Sequence, residues 1–207
     1  YRMSTKKEED IFSTPWKTVN TKLGNCLKRK RLIILGGIAG VGKTSCAIQI
    51  ARHITKKYKI PSMITCLEMD EVDLVTKIVQ LENDLVYDLV NYSEALQYER
   101  DLEGLEMYFA YSPKLTTEMY YNTVKAARDR YGCELFVFDN LQLLITSDKE
   151  SDYSKAVKAF KNMAMELDIM IILVNQPRKL NTERNPTYDD LKGSASLSQG
   201  GDGIVLL

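Results

Sequence analysis

Short, continuous apolar runs alternate along the chain with longer stretches in which apolar residues recur every three or four positions. Residues 32–35 (Leu-Ile-Ile-Leu), 63–67, 107–111, 135–138, 170–174 and 203–207 are the runs, and each has the length of a buried strand. Between them, residues 43–58 are apolar at 47, 50, 51, 54 and 58, and residues 117–131 are apolar or aromatic at 120, 124, 127 and 131. Residues 153–167 repeat the spacing at 153, 156, 157, 160, 163, 164 and 167. That period predicts amphipathic helices, and residues 71 to about 102 form a further polar, helix-prone stretch. Strands that alternate with helices, several of them apolar on both faces, predict an α/β fold with a mainly parallel sheet covered on two sides. Residues 1–20 are polar at first and then hold Pro15 and Trp16; they read as a linker and lead-in outside the core, with 21–207 as one domain.

At 207 residues and 44% hydrophobic content, the chain suffices for one sizeable core and is short for two. Its 28 basic and 28 acidic residues cancel, so a grip on nucleic acid has to come from local placement of Lys and Arg. Cys26, Cys46, Cys66 and Cys133 are scattered without a Cys-x-x-Cys, and His53 is the sole histidine. This argues against a zinc site or a disulfide framework and fits a reducing compartment. No apolar run has the length of a membrane span, and no signal peptide is visible. The opening on Tyr1 and the apolar close at 204–207 read as cuts in a longer protein.

The candidate chemistry starts where the first run ends. Gly37-Ile38-Ala39-Gly40-Val41-Gly42-Lys43-Thr44 is a complete phosphate-binding loop between a predicted strand and a predicted helix. Glycines 36, 37, 40 and 42 let the backbone wrap so that N–H groups from Gly37, Ala39, Gly40, Val41, Gly42 and on to Ser45 converge on one anion. Lys43 is expected at the β- and γ-phosphates, and the Thr44 hydroxyl on a magnesium ion. ATP or another nucleoside triphosphate, with Mg²⁺, is therefore the expected ligand. In such sheets ligands sit beyond the carboxyl ends of the strands. There the chain offers Glu68, then Asp139-Asn140, then Asn175-Gln176. Asp139 fits the magnesium partner of Thr44. Glu68 is either a base that polarises the attacking water or a solvated strand-end acid. Gln176 is either a sensor of the γ-phosphate or an ordinary strand-end glutamine.

Taken together, these segments resemble the RecA-like motor domain of hexameric replicative DNA helicases: the DnaB type, the phage primase-helicases and the Twinkle type. The likeness runs from about Ser13 to Leu207 in the family's order. Leu67-Glu68-Met69 is similar to the segment carrying the catalytic glutamate, and Asp139-Asn140-Leu141-Gln142 to the magnesium-site segment, in a form closest to Twinkle. Gln176-Pro177-Arg178-Lys179 resembles the sensor segment, and Lys192-Gly193-Ser194-Ala195, with Gln199 and Asp202, the stretch after the DNA-binding loop. The resemblance implies a RecA-like P-loop NTPase fold and an ATP-hydrolysing helicase motor, with Glu68 as the base and Lys43 and Gln176 as its catalytic partners. It also implies a six-membered ring around single-stranded DNA, a possible primase or helicase loader, and a bacterial, phage-infected or mitochondrial interior. Two departures stand out. The family's arginine finger comes in trans from a hairpin beyond the last strand seen here, which predicts weak hydrolysis by this stretch alone. Nothing resembles a primase or zinc module.

The long loop 177–194 has proline-marked turns and mixed charge. By resemblance it lines the ring's channel, with Arg178, Lys179 and Lys192 on backbone phosphates and the Gly193 and Ser194 N–H groups assisting. The plain alternative for each is a solvated surface residue. Lys155, Lys158 and Lys161 read as solvated, His53 as structural, and Tyr120, Tyr121 and Tyr131 as core or interface. Other activities stay open: a recombination ATPase that exchanges strands, a small-molecule kinase, and a nucleotide-gated assembly module without turnover.

Overall fold

A computed structural model describes residues 11–24, 26–82, 104–111, 116–145, 149–176, 187–191 and 193–207. In chain order these form α1 (Lys17–Leu23), β1 (Arg31–Gly36), α2 (Lys43–Tyr58), β2 (Ser62–Cys66), α3 (Glu71–Glu82), β3 (Met107–Tyr111) and α4 (Thr117–Tyr131). There follow β4 (Leu135–Asp139), the short α5 (Leu141–Leu144), α6 (Glu150–Glu166), β5 (Met170–Asn175), a 3-10 turn (Tyr188–Asp190), α7 (Ser194–Gly200) and β6 (Gly203–Leu206). The strands make one six-stranded sheet in the order β3-β2-β4-β5-β1-β6, with every recorded pairing parallel.

Alternate residues of each strand feed opposite faces, and both faces are covered. Leu32, Ile34, Phe136, Phe138, Ile171 and Leu173 pack under α4 and α6, around the tight trio Tyr120, Phe138 and Phe160. Ile33, Leu35, Val137, Ile172 and Val174 pack under α2 and α3. This double burial explains why the strands carry uninterrupted apolar runs instead of alternating ones. The helix ends follow local chemistry. Thr116 caps α4 by accepting the Met119 N–H at 3.2 Å, and Gly132, at φ 70°, ends it. Glu150 and Asp152 in the first turn of α6 suit the positive end of its dipole, so the helix starts three residues before its apolar stripe does. Beyond Glu82 the stretch expected to be helical, up to residue 102, lies outside the described residues until Gly104.

Two expectations change. Residues 11–20 are not all outside the core. Phe12, 4% exposed, donates its N–H to the Leu27 carbonyl at 2.7 Å and sets its ring edge-on to Tyr58. Thr14 is 2% exposed and is locked to Asn20 by its N–H (2.6 Å) and its carbonyl (3.0 Å). A lone Ile11-Phe12 pair in an otherwise polar stretch has no periodicity to betray the burial of Phe12. Lys161 is not simply solvated: its Nζ donates to Asp202 Oδ2 at 2.6 Å and to the Lys30 carbonyl at 3.0 Å. Asp202 also accepts from Arg31 Nη1 (2.6 Å) and the Leu32 N–H (2.8 Å), so one carboxylate fastens the start of the edge strand β6 to β1 and α6.

Burial alone would raise the Asp202 pKa, but hydrogen bonds from Lys161, Leu32 and Arg31 outweigh it and hold the carboxyl below its ordinary range. A depressed carboxyl pKa stabilises the fold above about pH 4, and that gain is lost as the pH falls through the folded value. Asp202→Asn is expected to cost ~1–3 kcal/mol at neutral pH, seen as a lower urea midpoint. The gap between variant and parent is expected to close in acid. A gap independent of pH would remove the charge of Asp202 from the account.

Candidate functional site

The end of β1 runs into a tight turn that favours glycine. A Cβ on Gly36 would lie 2.8 Å from Leu191 and 2.9 Å from Leu206. Gly40 and Gly42 have φ of 78° and 93°, in the left-handed region that L side chains resist. Gly42 is the N-cap of α2, and the first helical hydrogen bond is Cys46 N–H to its carbonyl at 2.8 Å. The N–H groups of Lys43, Thr44 and Ser45 therefore precede the helical ladder, at the positive end of a 16-residue helix. Ala39 and Val41 are exposed on the loop, and Gly37 is buried beneath it. Lys43 is 7% exposed, and its Nζ donates to the Ile38 carbonyl at 2.8 Å, folding the ammonium back across the loop. Burial lowers its pKa, and the charges of Asp139 and Glu68 work against that shift.

Strand order decides what meets this loop. β5 lies between β1 and β4, and β2 lies beyond β4. Thr44, in the first turn of α2, reaches over the β5 end and donates its hydroxyl to Asp139 Oδ2 at 2.5 Å. Cys66 is the register partner of Asp139, and Leu67 donates its N–H to the Asp139 carbonyl at 2.9 Å, which sets Glu68 on the same rim. Glu68 is exposed and accepts from Asn140 Nδ2 at 2.6 Å. Gln176 follows Asn175, the register partner of Gly36, so its backbone leaves the sheet beside the loop. It is half-buried. Lys43, Thr44, Asp139 and Glu68 are thus brought together, with Gln176 at the exit of the strand between them.

Asp139 is 3% exposed. Burial raises its pKa, the Thr44 hydrogen bond opposes this, Glu68 adds to it and Lys43 offsets it. A hydroxyl and a carboxylate side by side are hard oxygen donors of the kind magnesium takes, and a divalent cation would relieve the cost of that buried charge. The donor set fits Mg²⁺, which Thr44 and Asp139 would hold.

The expected nucleic-acid contacts fare differently. Arg178, Lys179 and Lys192 lie outside the described residues. Gly193 is buried with φ 73°, and a Cβ there would meet Tyr153 at 2.7 Å. Ser194 donates its N–H to the Leu191 carbonyl at 3.1 Å, so this amide, expected to assist a phosphate, is already engaged in the turn into α7. Sequence reading gave no part to Asn140 and Gln142, although both sit within the segment it singled out. Asn140 caps α5 and holds Glu68; Gln142 Nε2 donates to Asn175 Oδ1 and to the Gln176 carbonyl at 3.0 Å. Polar side chains on the turn after the strand-end Asp139 were the available signal.

Residues 13–207 match the family model described as DnaB-like helicase C terminal domain. A probable replicative DNA helicase of Trieres chinensis is 28% identical over 199 residues, spanning 87% of this chain and 43% of that protein. The replicative DNA helicase DnaB of Buchnera aphidicola subsp. Baizongia pistaciae is 27% identical, spanning 96% and 49%. The chain thus spans less than half the length of these curated relatives. Among solved structures, the ATPase domain of G40P superposes with a TM-score of 0.77 at 18% identity, over 97% of this chain and 78% of that one. A DnaB-like replicative helicase, described with its interactions with primase, gives 0.74 at 18% identity, over 86% and 47%. These structural likenesses speak for the RecA-like fold of the parallel sheet.

The raised Asp139 pKa has a consequence for stability. An acid harder to ionise in the fold than in the unfolded chain costs stability once the pH rises past the unfolded value. Asp139→Asn, which keeps an oxygen for the Thr44 hydroxyl, is expected to raise the melting temperature of the nucleotide-free protein at neutral pH while weakening Mg²⁺-dependent nucleotide binding. A lower melting temperature would show that the carboxylate stabilises the fold.

Proposed function

The chain belongs to the DnaB-like helicase C-terminal domain family, and from that premise we propose that it is the ATP-hydrolysing motor of a ring-forming replicative DNA helicase. The observation that carries the reading is the meeting of Lys43, Thr44, Glu68 and Asp139 on one rim, with Thr44 and Asp139 in direct contact across β5.

In this reading the loop amides and Lys43 bind the triphosphate, and the ammonium, drawn from the Ile38 carbonyl, follows the β- and γ-phosphates. Bound magnesium supplies charge neutralisation at the phosphate oxygens. Thr44 and Asp139 are its holders. Glu68 takes a proton from the attacking water as the new O–P bond forms at the γ-phosphorus. The bond from that phosphorus to the bridging oxygen breaks, and ADP carries the electron pair away. Gln176, at the exit of β5, reports loss of the γ-phosphate to the segment that follows it. Arg178, Lys179 and Lys192 are proposed for the single-strand backbone, where contacts carry no base preference. A homo-oligomeric ring, most simply a hexamer, a primase or loader partner and an intracellular setting complete the proposal. Among the described residues no helix is long and apolar enough to cross a membrane.

In the full-length protein, Lys43→Ala is expected to abolish ATP binding, nucleotide-dependent assembly and unwinding together; unwinding that survives would end the motor reading. Glu68→Gln is expected to keep equilibrium binding of a fluorescent ATP analogue and to lose turnover by ~10²–10⁴-fold. Full turnover in that variant would reject the base assignment.

A further inference from the structure

Asn140 and Gln142 contact neither the loop nor Lys43 in any recorded bond, yet each spends its side chain on a residue of the reaction centre. Asn140 is the N-cap of α5, and its Oδ1 accepts the Leu143 N–H at 3.3 Å. A cap of this kind is equally served by Ser, Thr or Asp, which accept. The amide adds a separate NH2 donor that reaches past the helix end, and here that donor goes to Glu68 Oε1 at 2.6 Å.

Two residues on, near the start of the same single turn, Gln142 Nε2 grips the β5 exit twice, at Asn175 Oδ1 and at the Gln176 carbonyl, 3.0 Å away. Among the described residues its Oε1 is buried without a hydrogen-bond partner, and the side chain is held by its donor side. Between the two, Leu141 is fully buried in the core, which pins α5 as one small body. Glu68 and the exit of β5 are therefore joined through the first residues of α5 by the side-chain hydrogen bonds of Asn140 and Gln142. β2 and β5 do not pair directly, because β4 lies between them.

We infer that Asn140 and Gln142 are positioning residues that couple the Glu68 carboxylate to the β5 exit, so that hydrolysis depends on the state of the backbone at Gln176. This rests on the motor reading for the roles of Glu68 and Gln176. A shift at Gln176 pulls on Gln142, tilts α5 about Leu141 and moves the amide that holds Glu68. One oxygen of Glu68 is fixed by Asn140, and the other is the one that accepts the proton of water.

The test uses the full-length protein with Asn140→Ser, which keeps the cap and loses the reach to Glu68, and Gln142→Met, which keeps the bulk and loses the hydrogen bonds. The readout is the ratio of ATP turnover with saturating single-stranded DNA to turnover without it. Each variant is expected to lower that ratio at least about threefold, within the range seen for coupling residues. KM for ATP and equilibrium binding of a fluorescent ATP analogue are expected to stay unchanged. The double variant is expected to be no worse than the worse single one, as for two links of one connection. A parental ratio in either variant, or losses that multiply in the double, would overturn the inference. A parent that hydrolyses ATP equally with and without DNA would overturn it too, leaving the nucleotide site intact. A parent that binds no ATP would instead sink the motor reading.

Discussion

In a sheet whose strands all run the same way, every carbonyl end lies on one rim, and that constraint governs the rest of this molecule. Helices must then return the chain to the opposite rim, which buries both faces of the sheet. The loops at the carbonyl rim are left free of that packing duty. Thr44, Glu68 and Asp139 arise from separate β–α junctions and still come within hydrogen-bonding range of one another or of a shared neighbour. The strand order makes this possible. β1 and β4 flank β5, so the helix after β1 opens toward the acid at the end of β4.

The same rim concentrates electrostatic cost. Asp139 is buried and harder to ionise than an ordinary carboxylate, and Lys43 is buried and easier to deprotonate. Neither arrangement favours the empty fold, and each is relieved by a ligand of the opposite charge: a cation for the acid, a phosphate for the lysine. Away from the rim, charge is used in the ordinary way. Asp202 joins Arg31, Lys161 and the Leu32 amide and secures the edge strand with a carboxylate that is easier to ionise than usual. The contrast between these two aspartates separates a site from a fastening: one is held at a cost, the other at a gain.

Much of the architecture was legible along the chain. Residues 32–35 and 135–138 read as buried strands because a strand covered on both faces has no polar positions to lose. The glycines at 40 and 42 were legible because the left-handed turn they adopt leaves few other residues possible. Asp139 could be picked out by its place after an apolar run. The burial of Phe12, the partner of Lys161 and the roles of Asn140 and Gln142 were not legible. Asp202 lies 41 residues from Lys161, and Gln142 lies 34 residues from Gln176. No periodicity links such positions.

What the sequence settled by itself was local: which segments are strands, which are helices, where the phosphate loop turns, and which acids end the strands. These follow from period, side-chain shape and backbone sterics within a few residues. Tertiary structure alone decided which of those ends face each other. Only the order of strands in the sheet sets Thr44 against Asp139 and Asn140 against Glu68, because a hydrogen bond depends on distance in space and the chain records only distance along itself.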